Sequence, residues 1–554
     1  MTKSDMTRRS ALAGMAGAVT SYAAGAGPWG RPITENRASA NRLNTTSATM
    51  RPAMRGIFSS GQNQRAALLD FIREAAEGGK TIEWGPLDVS LDVVTKTHGR
   101  RGLAVPSGSH WVMHPETRIR ALPNSATHYE ILDIMDVENI TIEGNGARLI
   151  GERDAHFGEA GQWGFGVGMH GARNVRISDL VAEDCWGDGF YIGSGRRKYC
   201  QDILLKNTKS IRARRNGLSL ISARGFVSED HESLNTQGHA PQWGVDIEPN
   251  DPGEHLEDIT FLRTITRDSA SNGFGIYLAA FEGSPNPVSI RLVDCVDTGS
   301  VIGFSVASAR NITGRIDLVR PRSDRSGAVG IYVRRKAVSG PHVSVREPVV
   351  TDWNRDGVTT TAARAAISIF APSGDDGTEA LGNVDIINPV IRLTSRGVDA
   401  SAAVFVMDQR DTGPDPLTDV RILDPLNLAG LRVWLAAERA EFRDRNRVSE
   451  RILPDASMTI GAANTFVHNL IDVTETRNYE LAATQPIGAE LVFEVASDGG
   501  AGRIILPEGE KLYSDNASHH RSISSASKGA KLRIRKTGTG AWVIIDRIGA
   551  WATG

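Results

Sequence analysis

Three cysteines in 554 residues, Cys185, Cys200 and Cys295, are too few and odd in number for a disulfide scaffold. Buried thiols are the reading that suits them, with a Cys185–Cys200 bridge as the alternative. An excess of one charge is missing as well: 63 Lys plus Arg stand against 65 Asp plus Glu. Whole-chain charge therefore makes no case for nucleic acid or a membrane surface as partner. No uninterrupted apolar run beyond the N-terminus is long enough to cross a bilayer, so no membrane insertion is expected. A dinucleotide fingerprint is absent too, because Gly164-Phe-Gly-Val-Gly168 sits among strand-like repeats without a following helix.

What the chain does have is glycine, 58 of them, with many Asn-Gly, Asp-Gly and Ser-Gly turns, as expected of short strands joined by tight corners. At the N-terminus, Arg8-Arg9 precedes a weakly apolar Ala/Gly stretch, and Ala24-Gly25-Ala26 has the small-x-small form of a cleavage site. This resembles a twin-arginine export signal over 1–26, except that Ala11 stands where the pattern prefers a large apolar residue. It implies a periplasmic or extracellular protein. A polar, unstructured lead-in over 27–55 follows.

Two short segments alternate along the middle of the chain. One is a polar residue followed by alternating apolar positions, as in Asn139-Ile-Thr-Ile142, Asn174-Val-Arg-Ile177, Asp202-Ile-Leu-Leu205, Asp258-Ile-Thr-Phe261 and Asn383-Val-Asp-Ile386. The other begins with glycine, as in Gly189-Phe-Tyr-Ile192, Gly217-Leu-Ser-Leu220, Gly244-Val-Asp-Ile247, Gly275-Ile-Tyr-Leu278, Gly303-Phe-Ser-Val306 and Gly330-Ile-Tyr-Val333. Steps between these glycines are 28, 27, 31, 28 and 27 residues. A repeat at that period means a solenoid, and alternation with period two makes its pieces strands. Leucine-rich and ankyrin signatures are missing. The segment Asn139-Ile-Thr-Ile-Glu-Gly-Asn-Gly-Ala-Arg148 and its successors resemble the pectate-lyase-like superfamily over roughly 55–430. That implies an all-β, right-handed parallel β-helix, among whose relatives trimers are common, so a homotrimer is an open expectation.

The solenoid is expected over 56–454, capped by an amphipathic helix at 65–76 that ends at Gly78-Gly79. Beyond Pro454, short strands in 466–473, 490–495, 503–506, 531–535 and 542–545 suggest a small antiparallel β-domain over 455–554.

In each glycine-led strand the second and fourth residues are large and apolar, so the third and fifth face outward. Tyr191, Ser219, Asp246, Tyr277, Ser305 and Tyr332 then form one external column, about 4.8 Å per coil. Asp246 and Glu248 share the outer side of one strand, their backbones about 6.6–7 Å apart. Two carboxylates so placed suit an acid/base pair for glycoside cleavage, and repulsion would split their pKa values. The alternative is that both are solvated strand residues. Trp243, Tyr277 and Tyr191 are candidates to stack on sugars, and Asp188, Arg215, Arg224 and His239 to bind them.

A basic cluster at 196–224, including Arg196, Arg197, Lys198, Lys206, Lys209, Arg212, Arg214 and Arg215, suits an acidic polysaccharide, or else is balanced by acids at 229–258. Glu183, Asp184 and Asp188 suggest a calcium site for the lyase reading; otherwise no cofactor is expected. His170, His231 and His239 are possible proton carriers. Polygalacturonases carry Asn-Thr-Asp, Asp-Asp, His-Gly and Arg-x-Lys in order; here Asn-Thr-Asp is absent and Asp375-Asp376 follows His170-Gly171. The Asp-Pro-His of mannuronan epimerases is absent as well. The expectation is a secreted glycoside hydrolase acting through Asp246 and Glu248, with a lyase or epimerase, or a glycan-binding surface protein, as alternatives.

Overall fold

The computed structural model describes residues 48–554 except 95–101, 159, 372–380, 395–399, 401, 409–416, 424, 428–432, 437–439, 444–448, 454, 462–466, 484, 486–488, 515–517 and 539. The export-signal reading and most of the lead-in lie outside these residues. Within the lead-in, Thr49–Met50 is a strand paired in parallel with Thr81–Ile82, and Pro52–Arg55 forms a 3-10 turn. The polar composition there hides two anchors: Met50 and Pro52 are both buried.

Each coil contributes one strand to each of three parallel sheets, which hold 14, 13 and 12 strands among the described residues. The first sheet contains the polar-led segments and is in register through its inward residues Ile140, Val175, Ile203, Phe226 and Ile259. Asn139, Asn174, Asp202, Asp258 and Asn383, near the start of its strands, all lie at φ between 48° and 62°, whereas Asn311-Ile312 falls just ahead of its strand, Gly314–Val319. Asn and Asp tolerate that left-handed corner better than other residues with a Cβ, which explains the polar mark on the repeat.

The glycines mark a different corner. Strands of the second sheet send Ser210, Ser233, Thr266, Asp297 and Ser323 inward, one above another. These press on Gly189, Gly217, Gly244, Gly273 and Gly303, where an added Cβ would fall far inside van der Waals contact. A leading glycine is thus a packing requirement at the junction into the third sheet. An apolar core runs continuously from Met50 to Ile422 beside this polar column.

Helix α1 (Arg65–Glu77) closes the N-terminal end by burying Leu68, Phe71, Ile72 and Ala75 in this core. At the other end a second core around Leu453, Ile471, Phe493, Leu532 and Trp542 supports two smaller sheets. Ser449–Leu453, Val467–Ile471 and Glu490–Val495 still pair in parallel, after which Glu490–Val495, Lys531–Gly538 and Ala541–Ile548 pair antiparallel. The three cysteines are free and buried.

Candidate active site

On the third sheet, Val245 and Ile247 enter the core, which turns Asp246 to the outer side. The register there reads Asp133, Gly168, Tyr191, Ser219, Asp246, Gly275, Ser305, Tyr332. Tyr277 is therefore not in the column of Asp246. Gly273, not Gly275, is the counterpart of Gly244, and a slip of two residues preserves the alternation that the sequence reading relied on. Ile247 pairs with Ile276, so Tyr277 follows on the rung beside Glu248, half-buried.

Asp246 faces outward but is sealed, with no exposure, and so are Asp188 and Ser219. The Trp243 ring occupies the space over Gly275, the next rung. Asn216 organises the sealed group. Its Nδ2 donates to Asp246 Oδ2 at 2.7 Å and to Ser219 Oγ at 3.0 Å, and its backbone N–H donates to Asp188 Oδ1 at 3.0 Å. The Trp243 backbone N–H donates to Asn216 Oδ1 at 3.0 Å, and Ser219 Oγ donates to Asp188 Oδ2 at 2.7 Å. Arg215 Nη1 donates to Asp188 Oδ2 at 3.0 Å, and its Nε to Gln162 at 3.2 Å. Asp246 Oδ1 is buried without a hydrogen-bond partner.

These surroundings set the protonation states. Burial raises the Asp246 pKa well above the carboxylate range, and the neighbouring Glu248 adds to it; Arg215 and Asn216 oppose the shift. Burial also raises Glu248, again against Arg215, and Glu248 remains partly open to solvent. Asp188 is pushed up by burial despite its ion pair. At the site, then, a sealed carboxyl whose neutral form is favoured by burial lies beside a second that reaches the surface.

Tyr191 stacks on Phe165, with ring centroids 4.6 Å apart, on the rung above Ser219. Two expected site residues lie elsewhere. Arg224 belongs to the first sheet, paired across the register with Glu257 at 2.9 Å and against Tyr199. His239 turns its Nδ1 to the Ala240 carbonyl at 2.9 Å in a corner loop. The histidine trio separates likewise. His231 is a core residue between Thr208 and Ser233, its pKa lowered by burial to about 3, and His170 joins a cluster around Glu130.

Nor does the basic cluster form one patch. Lys206 pairs with Glu229, Lys209 with Glu232, and Arg212 with Asp184 and Asp154, on the first and second sheets and their corner. The acids expected for calcium are divided in the same way. Glu183 binds Arg148, Asp184 binds Arg212 and Asp188 binds Arg215, so the three carboxylates point to three different cations.

No family model matches the sequence. Two Bacillus subtilis proteins match part of it. The uncharacterized protein YclG is 33% identical over 251 residues, and the SPbeta prophage-derived protein YorA is 29% identical over 231. The chain spans 42% of the first and 38% of the second. Among solved structures, a tailspike protein of E. coli bacteriophage HK620 aligns at 10% identity over 90% of each chain, with a TM-score of 0.46. The A-module of the Azotobacter vinelandii mannuronan C-5 epimerase AlgE6 superposes with a TM-score of 0.51 at 13% identity, covering 71% of this chain and 97% of that module. The fold is a right-handed parallel β-helix.

In the β-helix, the residues that sequence reasoning missed are those whose role depends on neighbouring coils. Asn216 stood in the chain as one more Asn-Gly corner, and nothing local marks it as the donor to Asp246 one coil on. Glu130, which accepts from His128 Nε2 at 3.0 Å and His170 Nε2 at 3.1 Å, is brought together by coils 40 residues apart. Among the described residues, no helix is long and apolar enough to cross a membrane.

Proposed function

We propose that this chain is an exported polysaccharide-active enzyme, a glycoside hydrolase that uses Asp246 and Glu248 on the outer side of the third sheet. The observation that carries the reading is the pair itself: one carboxyl on the outward position of strand Val245–Ile247 and a second just past its end, unequally buried, both pushed up and both near Arg215. Cleavage of a glycosidic bond needs one carboxyl to protonate the leaving oxygen while the other activates water or attacks. Asp246 is the group whose surroundings keep it protonated, and Glu248 the group that reaches a substrate in solvent. Asp246 Oδ1 has no partner and is the free acceptor or donor of the pair. Trp243, Tyr277 and Tyr191 offer ring faces along the same surface. Arg215, locked to Asp188 and Gln162, keeps a fixed positive charge near both carboxyls. Export rests on Arg8-Arg9 and Ala24-Gly25-Ala26.

The test is a panel of neutral and acidic polysaccharides, followed for new reducing ends and for the ultraviolet absorbance of an unsaturated uronate. Reducing ends alone, lost in Glu248→Gln, support hydrolysis. Both signals together mean elimination and overturn the mechanism. Binding with neither signal makes the chain a glycan-binding protein.

A further inference from the structure

Upstream of the carboxyl pair the same face carries a second polar group that the proposed chemistry leaves unused. Glu130 has no exposed side-chain surface, and burial alone would raise its pKa; the hydrogen bonds from His128 and His170 outweigh burial and hold it at about 2. Its Oε2 is buried with no partner. The His128 ring lies 6.2 Å from that of Trp163 and 5.5 Å from that of Phe165, and His170 lies 5.1 Å from Tyr191. Trp163, in register with His128, is 40% exposed, a large ring left open on this face. The strand of Glu130 lies four rungs from that of Asp246, about 19 Å along the axis. Below Tyr191, Glu254 accepts from Ser194 Oγ at 2.8 Å, and burial raises its pKa.

The face thus runs past Glu130, Asp133, Asp188, Asp246, Glu248 and Glu254, with Arg215 already bound to Asp188. Arg214 lies over the Trp186 ring at 3.6 Å, and at the margin Arg196 and Arg197 pair with Asp136 and Glu138. Lys198 is exposed at that margin. A polymer bearing a carboxylate on each sugar would set its charges against Glu130, which the hydrogen bonds from His128 and His170 hold in its ionised form. At the low effective dielectric of such a face that repulsion is strong. A hydroxyl-rich neutral polymer meets acceptors, imidazole donors and ring faces instead.

We infer that the third-sheet face from Trp163 and Glu130 to Glu248 is one continuous binding surface for an uncharged polysaccharide, with the Trp163–His128–Glu130–His170 group as a distal subsite. This rests on the polysaccharide-active reading of the same face and narrows its substrate class against the acidic alternative.

The experiment uses the mature protein in affinity electrophoresis. One set of gels carries soluble neutral polysaccharides (mixed-linkage glucan, xyloglucan, galactomannan, dextran). The other carries polygalacturonate and alginate, and both are run at about 20 mM and about 500 mM salt. The expected result is retardation on at least one neutral polymer, unchanged by salt and reduced at least about tenfold in Trp163→Ala, with none on the acidic polymers. Retardation on polygalacturonate or alginate that weakens with salt overturns the inference while leaving the polysaccharide reading standing. Neutral binding unaffected in Trp163→Ala overturns the distal subsite. Mobility unchanged on every gel overturns the polysaccharide reading and the inference with it.

Discussion

Asp246→Asn and Glu248→Gln separate chemistry from architecture, because Asn216 can still bond an amide at 246 whereas nothing replaces the proton. Turnover on a cleaved polysaccharide should fall by about 10²–10⁴ in each while binding persists, measured as reducing ends against gel retardation. Since burial raises the Asp246 pKa, its proton survives into the pH range where ordinary carboxyls have lost theirs. Activity should therefore fall on the alkaline side as that proton leaves. Arg215→Met removes the charge that opposes both shifts, so the alkaline limb moves to higher pH. It also leaves Asp188 buried and unpaired, at a cost of about 3–5 kcal/mol in a denaturant melt. The pair's outward direction was legible from alternation alone. Its burial was not, because Asp246 is held by Asn216 of the preceding coil and the Trp243 ring lies over Gly275 of the next, and no local pattern reports a contact between coils.

At the scale of the strand and its corner, the sequence is more explicit. Asn and Asp at left-handed corners and glycine at crowded ones repeat because backbone geometry demands them in every coil. Gly217→Ala puts a methyl into Ser233 Oγ and the Gly244 carbonyl. It should cost about 1–3 kcal/mol, seen as a lower Tm, with the far coils unaffected. The polar column inside that corner has a pH signature. Asp297 accepts from Thr266 Oγ1 at 2.7 Å and Ser300 Oγ at 2.6 Å, and burial raises its pKa to about 7. The folded protein then binds a proton that the unfolded chain releases near pH 4. Stability from this group is full below pH 4 and declines as pH rises towards 7 and beyond, by about 1.4 kcal/mol per unit of pKa difference. Asp297→Asn should flatten that slope in urea melts run from pH 4 to pH 8. The glycine at 275 shows the limit of such reading: Gly273 and Gly275 fit the alternation equally well, and only pairing with Asp246 distinguishes them.

For the molecule as a whole, the coil repeat and the helical cap were readable because each coil restates the same rule. The entry into the C-terminal domain was less so, since parallel and antiparallel strands look alike in sequence and differ only in their partners. A chain ending at Arg443 keeps the solenoid core but ends on Ala440–Arg443, a strand paired on one edge only, with Leu417–Leu423, and stripped of the domain that follows it. Its circular dichroism should match the parent's β signal, while light scattering shows self-association that the full chain lacks. The stacked outer column has a further consequence. Each rung adds a fixed increment, about 4.8 Å, to a straight face, and each coil depends mainly on its two neighbours. The third sheet is therefore a ruler whose divisions are whole coils. Removing the complete coil that carries Tyr191, which leaves His170 beside Glu130 and Asn216 beside Asp246, would bring the two groups one division closer, and the shortest oligosaccharide able to span them would shrink in step.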